Sequence, residues 1–343
     1  MTVAHAWVLT SRPKAVPVAS DFDLVPIPDR PLEDGEIRVR NRWLSVDPYM
    51  RARMNAGHGY MPPFILGEPM TGRALGDVVE SRHAGFKPGD VVSHMAGWRD
   101  EAIVGSSLDP WRIPFSDVPE TAWLNGLGAA GLAAWVGLAV IADARAGETL
   151  FVSAAAGAVG SVVVQLAKAW GLRVVASAGG PRKAAWALEL GADHSIDYKR
   201  DPLLETLGAA APDGIDIYFD NVGGAHLDAA LAVSRRGARV AICGMIDSYN
   251  GERPLELRHA GRLIAARIRM EGYLVSDHMG ARDRFLAEMI PLVRDGRIRN
   301  RETVRQGLAA MPEAFLGLFD GMNIGKMLVE IPWRGDGGAK ALP

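Results

Sequence analysis

At 343 residues the chain is long enough for two domains of ordinary size, and 38 Lys plus Arg against 40 Asp plus Glu leave a formal charge of −2. That balance argues against a nucleic-acid partner and against a polybasic membrane surface. A single cysteine, Cys243, excludes an internal disulfide framework and fits a reducing, cytoplasmic compartment, and Met1 to Ser20 shows no continuous apolar core of the secretory kind.

Residues 1–121 are punctuated by proline and carry short alternating runs, Glu36-Ile37-Arg38-Val39-Arg40 and Ala74 to Glu80, which read as antiparallel strands of a β-rich unit. Thr121 to Ala142 has no charged residue and is long enough to span a bilayer. It also holds Gly126, Gly128, Gly131 and Gly137, runs soon into a strand, and lacks a second span or a basic flank, so it reads as buried helix at a domain junction. Across 122–301 short apolar strands alternate with helices: Glu148 to Ser153, Arg173 to Ala178, Ser195 to Asp197, Ile215 to Phe219 and Arg239 to Ile242. Such alternation implies an α/β unit with a doubly wound parallel sheet. Lys326 to Ile331 alternates as a strand again and is expected to rejoin the N-terminal unit, which assigns 302–343 to it; the tail from Trp333 is expected to be poorly ordered.

Between Thr149 and Leu188 there is no Asp or Glu, and the middle of that interval reads Ala155-Ala156-Gly157-Ala158-Val159-Gly160. A strand precedes it and an amphipathic helix, Val159 to Trp170, follows, which is where a dinucleotide fingerprint belongs. The first fingerprint position, here Ala155 instead of glycine, makes the tight turn. Gly157 removes the Cβ that would block a pyrophosphate, and Gly160 lets the helix pack on the strand. An NAD enzyme places an acid at the end of the next strand, about twenty residues on. This chain gives Gly179-Gly180-Pro181-Arg182-Lys183 instead. A carboxylate would repel a 2′-phosphate whereas a cation compensates it, so NADP(H) is expected over NAD(H). The competing reading of Arg182 and Lys183 is a solvated first helical turn.

The strings Val46-Asp47-Pro48-Tyr49-Met50-Arg51, Pro62-Pro63-Phe64, Ala146 to Gly160, Tyr218-Phe219-Asp220-Asn221-Val222-Gly223-Gly224, Cys243-Gly244-Met245, Tyr249-Asn250 and Arg269-Met270-Glu271-Gly272 resemble the zinc-free, NADPH-dependent double-bond reductases of the medium-chain dehydrogenase/reductase superfamily. That group includes the leukotriene B4 12-hydroxydehydrogenase/prostaglandin reductases, plant alkenal reductases and bacterial curcumin reductase. The resemblance covers nearly the whole chain. It implies a GroES-like β-rich catalytic domain, 1–121 with 302–343, and a Rossmann NADP-binding domain, 122–301. The implied reaction is reduction of the carbon–carbon double bond of an enone or enal by hydride transfer to the β-carbon. Zinc is not expected: zinc-dependent members have Gly-His-Glu where this chain has Gly67-Glu68-Pro69, and one cysteine cannot form a four-cysteine site.

The same match implies roles residue by residue. Tyr249 would hydrogen-bond the substrate oxygen or relay a proton, and Tyr49 would lie along the substrate cleft; the competing reading of each is an amphipathic aromatic at a domain edge. Ala156, Gly157, Ala158, Val159 and Gly160 would line the pyrophosphate, with Gly180, Cys243, Gly244 and Tyr249 also beside the cofactor. Lys183 and Tyr198 would face the adenosine 2′-phosphate. Asn221 and Asn323 would lie near the cofactor, the alternative for both being a turn residue in the left-handed conformation. His58, Trp98 and Met245 are candidates for shaping specificity or for packing. Ala129, Ala130 and Ala133 depart from the family's Gly-Met-Pro-Gly-Leu-Thr-Ala-Tyr string and alter the wall beside the nicotinamide. A homodimer is implied, formed edge to edge through strands near Arg239 to Ile242 and Arg267 to Leu274. Quinone reduction is the rival reaction, and a noncatalytic NADPH-binding protein the rival class.

Overall fold

The computed structural model describes residues 3–57, 59–114, 117–251 and 255–332; His58 and the tail from Trp333 lie outside the described residues. Two compact units divide the chain, one formed by Met1–Phe115, Val304–Asp320 and Met327–Pro343, the other by Ser116–Thr303 and Gly321–Lys326.

The chain begins with β1 (His5–Leu9), β2 (Phe22–Pro26), β3 (Ile37–Ser45), the short helix α1 (Met50–Arg53), β4 (Ala74–Ser81), β5 (Val91–His94), β6 (Glu101–Val104) and β7 (Trp111–Arg112). In β3 the alternation seen in the sequence is realised: Ile37, Val39 and Asn41 are buried while Arg40 is exposed, as a half-buried antiparallel strand requires. The core beneath α1 is aromatic. Trp98 stacks on Phe22 at 5.8 Å and meets Phe315 edge-on at 5.9 Å, with Met50, Leu44 and Val329 in the same cluster.

The second unit follows with α2 (Ala129–Val136), β8 (Thr149–Val152), α3 (Ala158–Ala169), β9 (Arg173–Ala178), α4 (Pro181–Glu189), β10 (His194–Asp197), α5 (Leu203–Ala210), β11 (Ile215–Asp220), α6 (Gly224–Val233), β12 (Ser234–Ile242), α7 (Arg262–Ala265), β13 (Arg269–Gly272) and α8 (Arg282–Arg294). Its six strands run in the order β10-β9-β8-β11-β12-β13, with every recorded pairing parallel. β8 is buried throughout, because helices cover both faces of such a sheet and leave no polar side to alternate with. The strand order reverses between β8 and β11, and a doubly wound sheet offers its ligand crevice at the carboxyl ends of those two strands.

The chain closes with β14 (Glu302–Gln306), α9 (Met311–Phe319) and β15 (Lys326–Glu330). β15 pairs antiparallel with β3, so the last strand does rejoin the sheet built by the first.

Two expectations need correction. Thr121 to Ala142 is not one buried helix: a 3₁₀ turn at Glu120–Leu124, α2, and a π turn at Gly137–Ile141 share the stretch. The break falls at Asn125, whose φ of −122° and ψ of −110° are not helical and whose amide donates to the Arg301 carbonyl and Glu302 Oε1 at 3.4 Å. Among the described residues no helix is long and apolar enough to cross a membrane. Arg239 to Ile242 is not a free edge either, because β12 is paired on one side with β11 and on the other with β13. β13 is the end strand.

Candidate functional site

The fingerprint lies where β8 gives way to α3, whose first turn carries no acid and whose N-cap is Gly157. Ala158 to Gly160 therefore present the first-turn N–H groups of a helix, which have no intrahelical partner, a site suited to a phosphate. The tight turn is made differently from the expectation. Ala155 is fully buried, and the left-handed residue is Ala154, at φ 48°. The Ala154 carbonyl accepts the Gly157 N–H at 2.9 Å, and a Cβ on Gly160 would run into that same carbonyl oxygen. Gly160 is thus required by close approach.

A second segment of the unit covers the turn. The Gly325 N–H donates to the Ala156 carbonyl at 2.7 Å, and Gly325 bridges Gly157. Asn323, two residues earlier, donates from Nδ2 to the Gly325 carbonyl at 2.7 Å, so it braces this segment.

At the next strand end Gly180 caps α4 with φ 97°, a conformation that suits glycine. Its N–H donates to Asp197 Oδ1 at 2.7 Å. An acid is therefore present near this turn, but it arrives from the end of β10 and is engaged by backbone N–H groups. Lys183 is half-buried in the first turn of α4 and forms no ion pair with a carboxylate among the described residues. Burial, and then the charge of Lys199, lower its pKa. Such an ammonium gains from an anionic partner. Arg182 is exposed, as the solvated reading has it. Tyr198 is 40% exposed, and burial of its inner side with Asp197 and Asp247 nearby raises its pKa. Its phenol stays a donor.

Asn221 follows β11 in the crevice. Its N–H donates to Ser153 Oγ at 2.9 Å and its Nδ2 to the Ser153 carbonyl at 2.8 Å. Neither Asn221 nor Asn323 has a positive φ, which removes the left-handed alternative for both. Asp220 fixes the turn: its Oδ1 accepts from the Tyr218 hydroxyl at 2.6 Å and from the Val222 and Gly223 N–H groups at 2.8 Å. Ser153, Asp220 and Asp197 were not singled out by sequence reasoning. Only the position of Asp220, at a strand's carboxyl end, offered a signal.

The segment after β12 is stitched to that turn. The N–H groups of Cys243 and Gly244 donate to the Asp220 carbonyl at 2.9 and 3.1 Å, and that of Asp247 donates to the Val222 carbonyl at 3.1 Å. Burial pushes the Cys243 thiol up to about 11, so it stays protonated. Tyr249 folds back over this loop. Its hydroxyl oxygen accepts the Met245 N–H at 3.4 Å and lies 3.1 Å from where a Gly244 Cβ would be. Burial raises its pKa above the usual phenol value, and among the described residues the hydroxyl only accepts, which leaves its O–H proton for another acceptor.

Tyr49 belongs to the first unit, half-buried before α1. Burial, and then the Asp47 carboxylate, raise its pKa. Trp98, a specificity candidate, is 0% exposed, with its indole N–H donated to Met50 Sδ at 3.3 Å, as the packing alternative has it. Met245 is half-buried against Gly223. Ala133 is buried, while Ala129 is exposed and Ala130 half-buried.

A β-rich unit that the chain leaves for a doubly wound sheet and rejoins with its last strand, together with an acid-free phosphate turn, defines the medium-chain dehydrogenase/reductase architecture. Family models agree: the N-terminal domain of oxidoreductase matches residues 5–109, and zinc-binding dehydrogenase matches 158–294. The chain is 40% identical to the NADP(+)-dependent 2-alkenal reductase of Nicotiana tabacum, over 88% of this chain and 89% of that one. It is 39% identical to the NADPH-dependent curcumin reductase of Escherichia coli, over 95% and 96% respectively. Its structure superposes with a TM-score of 0.89 on that of CurA from Vibrio vulnificus in complex with NADPH, at 37% identity, covering 96% of this chain and 99% of that one. The chain belongs to the zinc-free branch of the medium-chain dehydrogenase/reductase family that holds these reductases.

Proposed function

We propose that the chain is an NADPH-dependent reductase of the carbon–carbon double bond of α,β-unsaturated ketones and aldehydes, acting without zinc. The NADPH part of this is carried by the half-buried Lys183, at the strand end where an NAD-preferring fold has an acid, and the double-bond part is supported by the relatives named above. The fingerprint residues Ala156 to Gly160 hold the pyrophosphate, Lys183 and Tyr198 the 2′-phosphate, and Gly180, Asn221, Cys243, Gly244 and Asn323 line the rest of the dinucleotide. Residues 122–301 form the NADP-binding domain, and 1–121 with 302–343 the substrate domain.

When bound, NADPH supplies the hydride that goes to the β-carbon. The charge then collects on the substrate oxygen, which needs a donor. Tyr249 is the donor there, its O–H having no acceptor among the described residues, and Tyr49 is the second candidate that the family resemblance offers; burial raises the pKa of both phenols, which remain protonated through neutral pH. Protonation of the α-carbon completes the saturated product. The tobacco and Escherichia coli relatives carry names of this chemistry.

A homodimer formed by pairing two copies of β13 agrees with the exposure of all four of its residues, and a monomer mass in solution would refute it. A cytoplasmic place accords with the single cysteine. The reaction is tested by following NADPH absorbance with 2-alkenals, cyclic enones, arylidene ketones and quinones. Turnover of the first three is expected; turnover confined to quinones, or none at all, would overturn the reading.

A further inference from the structure

His226 is part of no step above, yet it is placed against the phosphate-reading end of the second unit. It lies in α6, 5% exposed. Its Nε2 is 3.0 Å from Ser177 Oγ, and its ring stands at 81° to that of Tyr198 with centroids 4.9 Å apart, the edge-to-face arrangement that aromatic pairs favour. Ser177 is fully buried in β9, and its carbonyl accepts the Ala155 N–H at 2.9 Å. One residue therefore holds the fingerprint turn through its backbone and His226 through its side chain.

Tyr198 is the exposed member of this stack. Its hydroxyl has no hydrogen-bond partner among the described residues, and a Cβ on Gly179 would come within 2.8 Å of that oxygen. The phenol thus stands over the bare turn that leads to Lys183. A tyrosine held on one side by a fixed ring loses less freedom when it binds than one that must first be ordered.

We infer that His226 is a positioning residue for NADPH over NADH: bonded to Ser177, it fixes the Tyr198 ring so that its hydroxyl meets the adenosine 2′-phosphate. This rests on the reading of Gly179–Lys183 as the 2′-phosphate end. The imidazole itself supplies no charge, because burial pushes its pKa down to about 4. Burial, and then the charges of Asp197 and Asp247, raise the Tyr198 pKa and keep the phenol protonated; the cations for the phosphate are Lys183 and Lys199.

The test is calorimetric binding to the full-length protein of adenosine 2′,5′-bisphosphate, NADPH and NADH. His226→Ala is expected to weaken the bisphosphate and NADPH roughly three- to tenfold and NADH less than twofold. His226→Phe, which restores an aromatic face without the bond to Ser177, is expected to recover part of the loss for the bisphosphate and NADPH and to leave NADH within about twofold of the parent. If the alanine variant does not fold, His226→Leu fills the space without an aromatic edge and carries the same expectation. Equal weakening of NADPH and NADH, or an unchanged bisphosphate affinity, would overturn the inference. Lys183→Ala separates the two levels. If it leaves the NADPH preference intact, the underlying reading fails; if it removes the preference while His226→Ala does not alter it, only the role of His226 is lost.

Discussion

Lys183 and Tyr249 divide the proposed chemistry into a binding half and a reacting half, and single substitutions distinguish them. A charge-assisted contact to a phosphate is worth about 1.5–3 kcal/mol, so Lys183→Ala should raise the KM for NADPH on the order of ten- to a hundredfold with little change for NADH. Equal losses with both cofactors would show that the side chain does not read the extra phosphate. Removing a donor to a developing oxyanion costs on the order of a hundredfold or more in kcat. Tyr249→Phe should therefore cut enone turnover by about that factor while the NADPH dissociation constant stays within about twofold. Undiminished turnover would remove Tyr249 from the chemistry. Sequence pattern marks Lys183, a cation just past a strand end, whereas Tyr249 is implied only by the family resemblance. It could not locate the strained residue of the fingerprint. The conspicuous departure is Ala155, but the left-handed backbone belongs to Ala154, a shift of one position that composition does not encode.

Elements buried on both faces were the most legible. The sequence reading of a strand over Arg173 to Ala178 matches β9, and a helix over Val159 to Trp170 differs from α3 by one residue at each end, because apolar runs and helical periodicity are local properties. Thr121 to Ala142 resisted for the opposite reason: what divides it is Asn125 reaching Arg301 and Glu302, far along the chain. A similar distant contact anchors α2. The indole N–H of Trp135, in α2, donates to Glu288 Oε2 at 2.8 Å, and that of Trp170, at the end of α3, donates to Glu288 Oε1 at 2.7 Å. One carboxylate of α8 thus ties down two helices, with Arg284 lying over the Trp135 ring at 5.1 Å. Trp135 is 1% exposed, so its N–H has no water to fall back on. Glu288→Ala should cost about 2–4 kcal/mol, from two donors left unmatched. Glu288→Gln, which keeps one acceptor oxygen, should cost about half as much. Urea denaturation with an unchanged slope would read both, and a loss below about 0.5 kcal/mol for the alanine variant would show the clamp to be ornamental.

At the scale of the whole chain, the sequence pattern carried the two-unit organisation and the return of the last strand, since both are changes in periodicity. The contact of Gly325 with Ala156 was not legible there, because it joins residues far apart in the chain and no local pattern encodes it. The two units also share a dependence on pH. His94, in the first, is 0% exposed; its Nδ1 accepts the Ala96 N–H at 3.1 Å, so the neutral ring carries its proton on Nε2. Burial, with Arg73 and Arg99 adding repulsion, pushes its pKa down to about 3, while burial takes His226, in the second, to about 4. Unfolded, both titrate near 6.5. The unfolded chain therefore binds protons that the folded chain refuses, and stability fully present above about pH 6.5 is lost as the pH falls towards the folded values. At pH 5 the loss is about 2 kcal/mol for each ring, or about 4 kcal/mol for the pair. The depressed carboxylates, Glu36 at about 2 among them, stay ionised above that pH in the folded chain and contribute their own loss only at stronger acidity. Denaturant midpoints measured from pH 7.5 to 5 should fall accordingly, and His226→Phe, which has nothing to titrate, should remove about half of the slope. A stability unchanged over that interval would mean that neither imidazole is held neutral by its burial.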